Sequence, residues 1–269
     1  MLRFIVKRIG LSILTLVIVS LIVFLMTSIM PGDIAKQILG RDATPEAFEI
    51  WNKEKGFDKP LVVQYSRWMG GVVTGDLGTS LQYEMPVSEI LAPAASKSAQ
   101  LAIVALLLIA PISILGGIAA AMNRGKKVDR ALTVGGLSAA VIPEFVWAVV
   151  LILVFGVAIR AFPVSAFPDE ENPNLVSSIY HLILPSIALL FVLFGYISRI
   201  TRAGVIEALD SDYMCTAVLK GLSRKTAVFK HVLRNALLPT IAVIATQVPY
   251  LAGGLIAIEI GRASCRERV

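Results

Sequence analysis

From Ile9 to Met30 the chain runs through twenty-two residues without a single charge. An α-helix rises 1.5 Å per residue, so about 20 apolar residues are enough to cross the hydrocarbon layer of a bilayer. Inside that layer no water is present to satisfy backbone N–H and C=O groups, and a lone apolar segment meets the requirement by closing its bonds internally as a helix. The run is too long for the apolar part of a secretory leader, and no small-residue cleavage site closes it. Four further windows repeat the pattern, giving expected spans at Ile9–Met30, Ser98–Met122, Ala131–Ile159, Leu182–Ser198 and Ala236–Ile258. Composition agrees. Only 16% of residues are charged, against about 25% in soluble domains. The expected architecture is all-α, a polytopic helical membrane protein with five spans. Pro111, Pro143, Pro185, Pro239 and Pro249 fall inside spans or near their ends, where membrane helices tolerate them if neighbours satisfy the freed carbonyls. The third span is the least uniform, because Glu144 follows Pro143 within it.

Orientation follows from Lys and Arg in the connections. With the N-terminus inside, residues 1–8, 123–130 and 199–235 are internal and hold three, four and seven basic residues. The external segments, 31–97 and 160–181, hold seven and one, and the second carries the acidic run Asp169, Glu170, Glu171. The bias selects a cytoplasmic N-terminus. It also explains the net charge of +6 without nucleic acid, since the cations flank apolar spans and do not form one stripe with interleaved aromatics.

Two polar segments carry structure of their own. In the external segment, Thr44-Pro45-Glu46 signals a helix start. Phe48, Trp51 and Phe57 give that helix an apolar side, and the glycines of Trp68-Met69-Gly70-Gly71 and Gly75-Asp76-Leu77-Gly78 read as turns. In the internal segment 199–235, a helix from Glu207 to Lys220 ended by Gly221 and a second, basic helix from Arg224 to Asn235 are expected. Such a pair serves either as a docking surface or as a basic connector held near anionic headgroups.

The stretch Asp212-Tyr213-Met214-Cys215-Thr216-Ala217-Val218-Leu219-Lys220-Gly221-Leu222-Ser223, followed by His231-Val232-Leu233-Arg234-Asn235-Ala236-Leu237-Leu238-Pro239, resembles the cytoplasmic signature of ABC importer permeases. Met30-Pro31-Gly32-Asp33, Thr44-Pro45-Glu46, the segment from Gly56 to Tyr65, Gly75-Asp76-Leu77-Gly78-Thr79-Ser80 and Ser198-Arg199-Ile200-Thr201-Arg202 narrow it to the dipeptide/oligopeptide/nickel permease branch. The resemblance implies a type I ABC transmembrane fold with six spans in the intact subunit. It also implies a second permease subunit, two ATP-binding subunits and an extracytoplasmic solute-binding protein as partners, in the bacterial inner membrane. On this reading the domains are 1–30 (tail and first span), 31–97 (extracytoplasmic subdomain) and 98–259 (transmembrane domain with the coupling segment at about 199–235).

The resemblance assigns Asp212, Tyr213, Ala217, Lys220, Gly221, Leu222 and Ser223 to contact with the ATPase. Ala217 lets the helix approach its groove, Gly221 turns the chain out, and Tyr213 and Leu222 are apolar contacts. Asp212, Lys220 and Arg224 make exposed ion pairs worth about 0–1 kcal/mol each. Cys215 stands where the family's older motif often has Glu. Glu144, an acid within a span, and Gln247 are candidates for the translocation path. The chain is expected to be no enzyme and to bind no cofactor directly, with ATP used by a partner, since it has no Gly-x-x-x-x-Gly-Lys-Ser/Thr loop. Neither the cysteines Cys215 and Cys265 nor the histidines His181 and His231 have metal-ligand spacing. The alternative is a secondary transporter or channel working without an ATPase. Such proteins show repeats or several intramembrane ionisable groups, and this sequence has one such acid and no clear repeat. Residues 260–269 break the upstream pattern with Arg262, Arg266 and Arg268; they translate a common sequencing-library adapter and are expected to be a non-native tail.

Overall fold

The computed structural model describes residues 1–29, 44–80, 83–168, 174–228 and 232–266. The motif Met30-Pro31-Gly32-Asp33, the acidic run 169–171 and His231 lie outside these residues, and so do the side chains of Arg224 and of positions 252–269. Two compact units divide the chain, Met1–Ala94 and Ala95–Val269.

The first unit opens with α1 (Leu2–Ile29), whose large apolar side chains are exposed all round, as befits a helix facing lipid. Its hydroxyls bond within the helix: Ser12 donates to the Arg8 carbonyl at 2.9 Å and Thr15 to that of Leu11 at 2.9 Å. That is how a polar side chain is tolerated where water is absent. Helix α2 (Pro45–Lys55) starts as expected, with the Thr44 hydroxyl accepting from Ala47 N at 3.4 Å. It ends at Gly56 in the left-handed conformation, φ 78°, and Trp51 stacks on Phe57 at 5.6 Å. Helix α3 (Leu61–Thr74) corrects one expectation. Gly70 and Gly71 are helical, and the turn begins at Gly75, φ 86°. Gly71 is needed inside the helix because a Cβ there would lie 2.8 Å from the Asp76 carbonyl as the chain folds back. Tyr65 and Phe24 join α3 to α1 edge-to-face at 5.4 Å.

The second unit is built around one helix. Four helices belong to it or lead into it: α4 (Val87–Met122), α5 (Lys127–Val141), α6 (Glu144–Leu151) with a π-helical continuation Ile152–Ala158, and α7 (Leu175–Leu209). Then come α8 (Asp212–Leu219), α9 (Arg224–Ala227) and α10 (Leu233–Arg266). The buried positions of α4, at Leu101, Ala105, Ile109, Ser113 and Gly117, recur every four residues and so form one face. Of these, Leu101, Ala105 and Ile109 join a core with Leu182, Leu189, Leu193 and Ile197 of α7. With no water to expel between helices in lipid, close backbone approach does the work that burial does elsewhere. Glycines supply it. A Cβ on Gly117 would lie 2.6 Å from the Ser198 carbonyl, one on Gly136 3.0 Å from Gly195 Cα, and one on Gly204 2.6 Å from the Ala236 carbonyl. Helices α4, α5 and α10 thus each pack closely on α7.

Two boundaries differ from the sequence reading. The expected span Ala131–Ile159 is two helices, α5 and α6, bent by 99°. Pro143 has no N–H and pushes the residue before it out of the helical region, and Ile142 is extended at φ −82°, ψ 127°. Trp147 Nε1 donates to the Ala139 carbonyl at 2.9 Å, which also accepts the Ile142 N–H at 3.3 Å in place of the donor that Pro143 lacks. Among the described residues, three helices are long and apolar enough to cross a membrane, or four with the bent pair counted as one. The fifth expected span falls on α10. The second difference lies at Glu207, which belongs to α7; the expected helix Glu207–Lys220 starts only at Asp212, after a turn at Asp210 and Ser211. Of the expected helix Arg224–Asn235, α9 covers Arg224–Ala227 and α10 begins at Leu233, and residues 229–231 lie outside the described residues.

Candidate functional site

Helix α8 divides into two faces. Met214 and Ala217, three residues apart and so on one side, are buried. They pack with Val205 and Ala208 of α7, Ala121 of α4, Val228, and Val232 and Ala236. Asp212, Tyr213, Cys215, Thr216, Leu219 and Lys220 point away and are exposed, Leu219 by 82%. Ala217 therefore faces its own chain.

The Ala-x-x-x-Gly spacing has a local cause. Gly221 adopts φ 82°, and Leu222 N–H donates to the Ala217 carbonyl at 3.3 Å. That six-to-one bond with a left-handed glycine is a Schellman termination. Leu222, half-buried, closes over the same cluster. Ser223 then caps α9, its hydroxyl accepting from Thr226 N at 3.2 Å. Asp212 stands in the first turn of α8, where a negative charge suits the helix dipole.

Behind α8 lies a polar junction that sequence reasoning missed. Asp129, at the start of α5 and 6% exposed, takes a bidentate contact from Arg202 of α7: Nε to Oδ1 at 2.6 Å and Nη2 to Oδ2 at 2.8 Å. Gly125 N–H donates to Oδ2 at 2.9 Å and the Thr133 hydroxyl to Oδ1 at 3.4 Å. The Arg202 hydrogen bonds, then that from Gly125, hold the Asp129 carboxyl well below the usual carboxylate range, and the carboxylate in turn raises Arg202. A cavity of about 300 Å3 opens beside the pair, lined also by Lys126, Arg130 and Val134. Nearby, Arg124 meets Asp210 at 3.1 Å, both side chains mostly exposed. The signal for Asp129 was its isolation: it is the sole acid among the four cations of residues 123–130. Immediately before Arg202, the buried Thr201 hydroxyl accepts from Thr240 of α10 at 3.2 Å.

Glu144 and Gln247 come from packed helices, α6 and α10. Both are half-buried, and the Tyr250 hydroxyl, one turn beyond Gln247, lies against the Glu144 carboxylate. They are not part of the α8 site. His181 Nδ1 meets the Ser165 carbonyl at 2.8 Å, so a loop occupies it. Among the described residues no group of three or more potential ligands could hold a metal.

Residues 112–261 match the profile of the family described as binding-protein-dependent transport system inner membrane component. The chain belongs to that family. Residues 1–92 match the corresponding N-terminal profile. This permease is similar to the dipeptide transport system permease protein DppB of Escherichia coli (strain K12), 34% identical over 96% of this chain and 83% of that one. It is also similar to the probable peptide ABC transporter permease protein y4tP of Sinorhizobium fredii, 32% identical over 95% and 82%. A putative peptide transport system permease protein of Brucella abortus, BAB2_1050, is 33% identical over 95% and 81%. The chain is accordingly an ABC permease subunit, a multi-pass helical protein of the inner membrane and not an enzyme.

Proposed function

We propose that this subunit forms part of the translocation path of an ATP-driven importer for peptides or related small solutes, and that α8 couples it to a separate ATP-binding subunit. A second permease subunit, two ATP-binding subunits and an extracytoplasmic binding protein complete the assembly, and the N-terminus is cytoplasmic. The two-faced build of α8 carries the reading. A helix of eight residues cannot stand alone in water, yet α8 is fixed by Met214, Ala217 and the Gly221 termination while Tyr213, Leu219 and Lys220 stay free. An apolar tip held rigidly beside a cation is what a groove on a partner would grip. Ala217 and Gly221 then seat the helix, and Tyr213, Leu219, Asp212 and Lys220 meet the partner. Peptides as cargo rest on the relatives, which are a dipeptide transport system permease and a probable peptide ABC transporter permease.

Capture of the ATP-binding subunits by the tagged subunit tests this. Burying a leucine contributes about 1.5–3 kcal/mol, so Leu219→Asp lowers capture about 10–100-fold without disturbing the fold. Gly221→Asp, which strains a left-handed position, also lowers it. Ala217→Arg lowers capture and destabilises the subunit together. Undiminished capture with Leu219→Asp and Gly221→Asp, membrane insertion being equal, refutes the coupling role and returns the chain to a transporter working without an ATPase.

A further inference from the structure

The proposed coupling leaves a gap between α8, where force would enter, and α6, which carries Glu144. The inference below rests on that reading and concerns how the gap is bridged. Helix α8 touches α7 through Val205 and Ala208, near the end of a continuous helix of 35 residues. Helix α5 packs along α7, and two contacts in that seam are specific. One is the bidentate Asp129–Arg202 contact. The other is Gly136 against Gly195, where neither residue has a Cβ and none would fit.

Both pairs of attachment points are seven residues apart: 129 and 136 on α5, 202 and 195 on α7. The numbers rise along one helix as they fall along the other, so the helices run antiparallel and in register. Seven residues are two turns, about 10 Å of helix. A single contact would let α5 pivot on α7; two contacts 10 Å apart do not. The glycine contact is steric and resists approach only. The ion pair, planar and two-pronged, also resists sliding and rotation. Helix α6 follows α5 across the Pro143 break.

We propose that Asp129 and Arg202 are positioning residues that transmit movement of α8, through α7, to α5 and α6, so that ATPase closure reshapes the path at Glu144. The exposed Arg124–Asp210 contact beside it lacks the second prong and the burial and does not serve this role. Packed junctions of this kind switch between discrete arrangements and do not deform continuously, which is what a transmission joint requires.

The test uses the complete importer, subunit with its permease partner, ATP-binding subunits and binding protein, reconstituted in liposomes. ATP hydrolysis and uptake of a labelled dipeptide pool are measured on the same vesicles. Asp129→Asn combined with Arg202→Gln removes both charges and the charge-assisted fork, the first without a change of volume and the second with a shorter side chain that still carries an amide. The double variant is expected to assemble, to hydrolyse ATP within twofold of wild type, and to lose at least tenfold in peptide taken up per ATP. The exchange Asp129→Arg with Arg202→Asp recovers part of that ratio. An unchanged ratio in the double variant overturns the proposal. Failure of both variants to assemble also overturns it, assigning the pair to folding alone. Wild-type vesicles that show no ATP-driven uptake would instead refute the importer reading itself.

Discussion

The Asp129–Arg202 pair and the Arg124–Asp210 pair join the same two regions of the chain, yet they are expected to differ in energy by several-fold. Removing one partner of a deeply buried pair costs about 3–5 kcal/mol, because the survivor is left desolvated and unpaired. Asp129 and Arg202 side chains keep 8% and 27% of their exposure, and the adjoining cavity admits solvent to relax the survivor. That places each single truncation at about 2 kcal/mol. Arg124 and Asp210 keep 61% and 67%, and an exposed pair contributes about 0–1 kcal/mol. A double-mutant cycle separates the two, since it isolates the pairwise term from the effect of each truncation. The cycle uses Asp129→Ala with Arg202→Ala and, in parallel, Arg124→Ala with Asp210→Ala. Unfolding free energies are read from helicity as the purified subunit is titrated from mild to denaturing detergent. The buried cycle should give a coupling of at least about 1.5 kcal/mol and the exposed one less than about 0.5 kcal/mol. Equal couplings, or a buried coupling below about 0.5 kcal/mol, refute the argument that burial and the two-pronged geometry set the strength of this junction.

Gly135 and Gly136 are neighbours with opposite expectations. A Cβ on Gly135 meets nothing within 4 Å, whereas one on Gly136 meets Phe194 and the Gly195 backbone. Gly135→Ala should therefore stabilise the subunit by about 0.5–1 kcal/mol, as replacing glycine in a helix interior does. Gly136→Ala should destabilise it by about 1–3 kcal/mol through overpacking; the same detergent titration decides, and a shared sign would be fatal to the reading of α5 against α7. Asp129 also fixes a pH dependence. Its carboxyl is depressed by Arg202, so its contribution to stability is present above the unfolded value of about 3.9. It is lost as pH falls through the lower folded value. The stability difference between wild type and Asp129→Asn should hold constant from pH 8 to 5 and shrink only below about pH 4. A difference that fades between pH 7 and 5 would contradict the assigned depression.

Local chemistry was legible in the sequence wherever a residue acts on its own turn of chain. Thr44 and Gly221 mark helix ends because capping depends on neighbours within five residues, and the long apolar runs fall on helices because the bilayer demands it. What depends on distant partners was not legible. Pro111, Pro185 and Pro239 lie within helices, while Pro143 breaks one with a 99° bend; proline chemistry is the same at all four, and at Pro143 an indole 8 positions from Ala139 joins the hydrogen bonding of the helix end. Asp129 and Arg202 are 73 positions apart, and only the oddness of one acid among four cations pointed to the pair. The signature at α8 shows the limit most clearly. Its helical period puts Met214 and Ala217 on one side, but no period says whether that side meets a partner or the chain itself. The structure turns it toward α7 and α10. The small residue and the glycine are then explained by a close seat and a left-handed end, without invoking any partner. Whatever recognition α8 performs must come from the residues between and around them, which is why Leu219, and not Ala217, is the position at which contact and folding can be told apart.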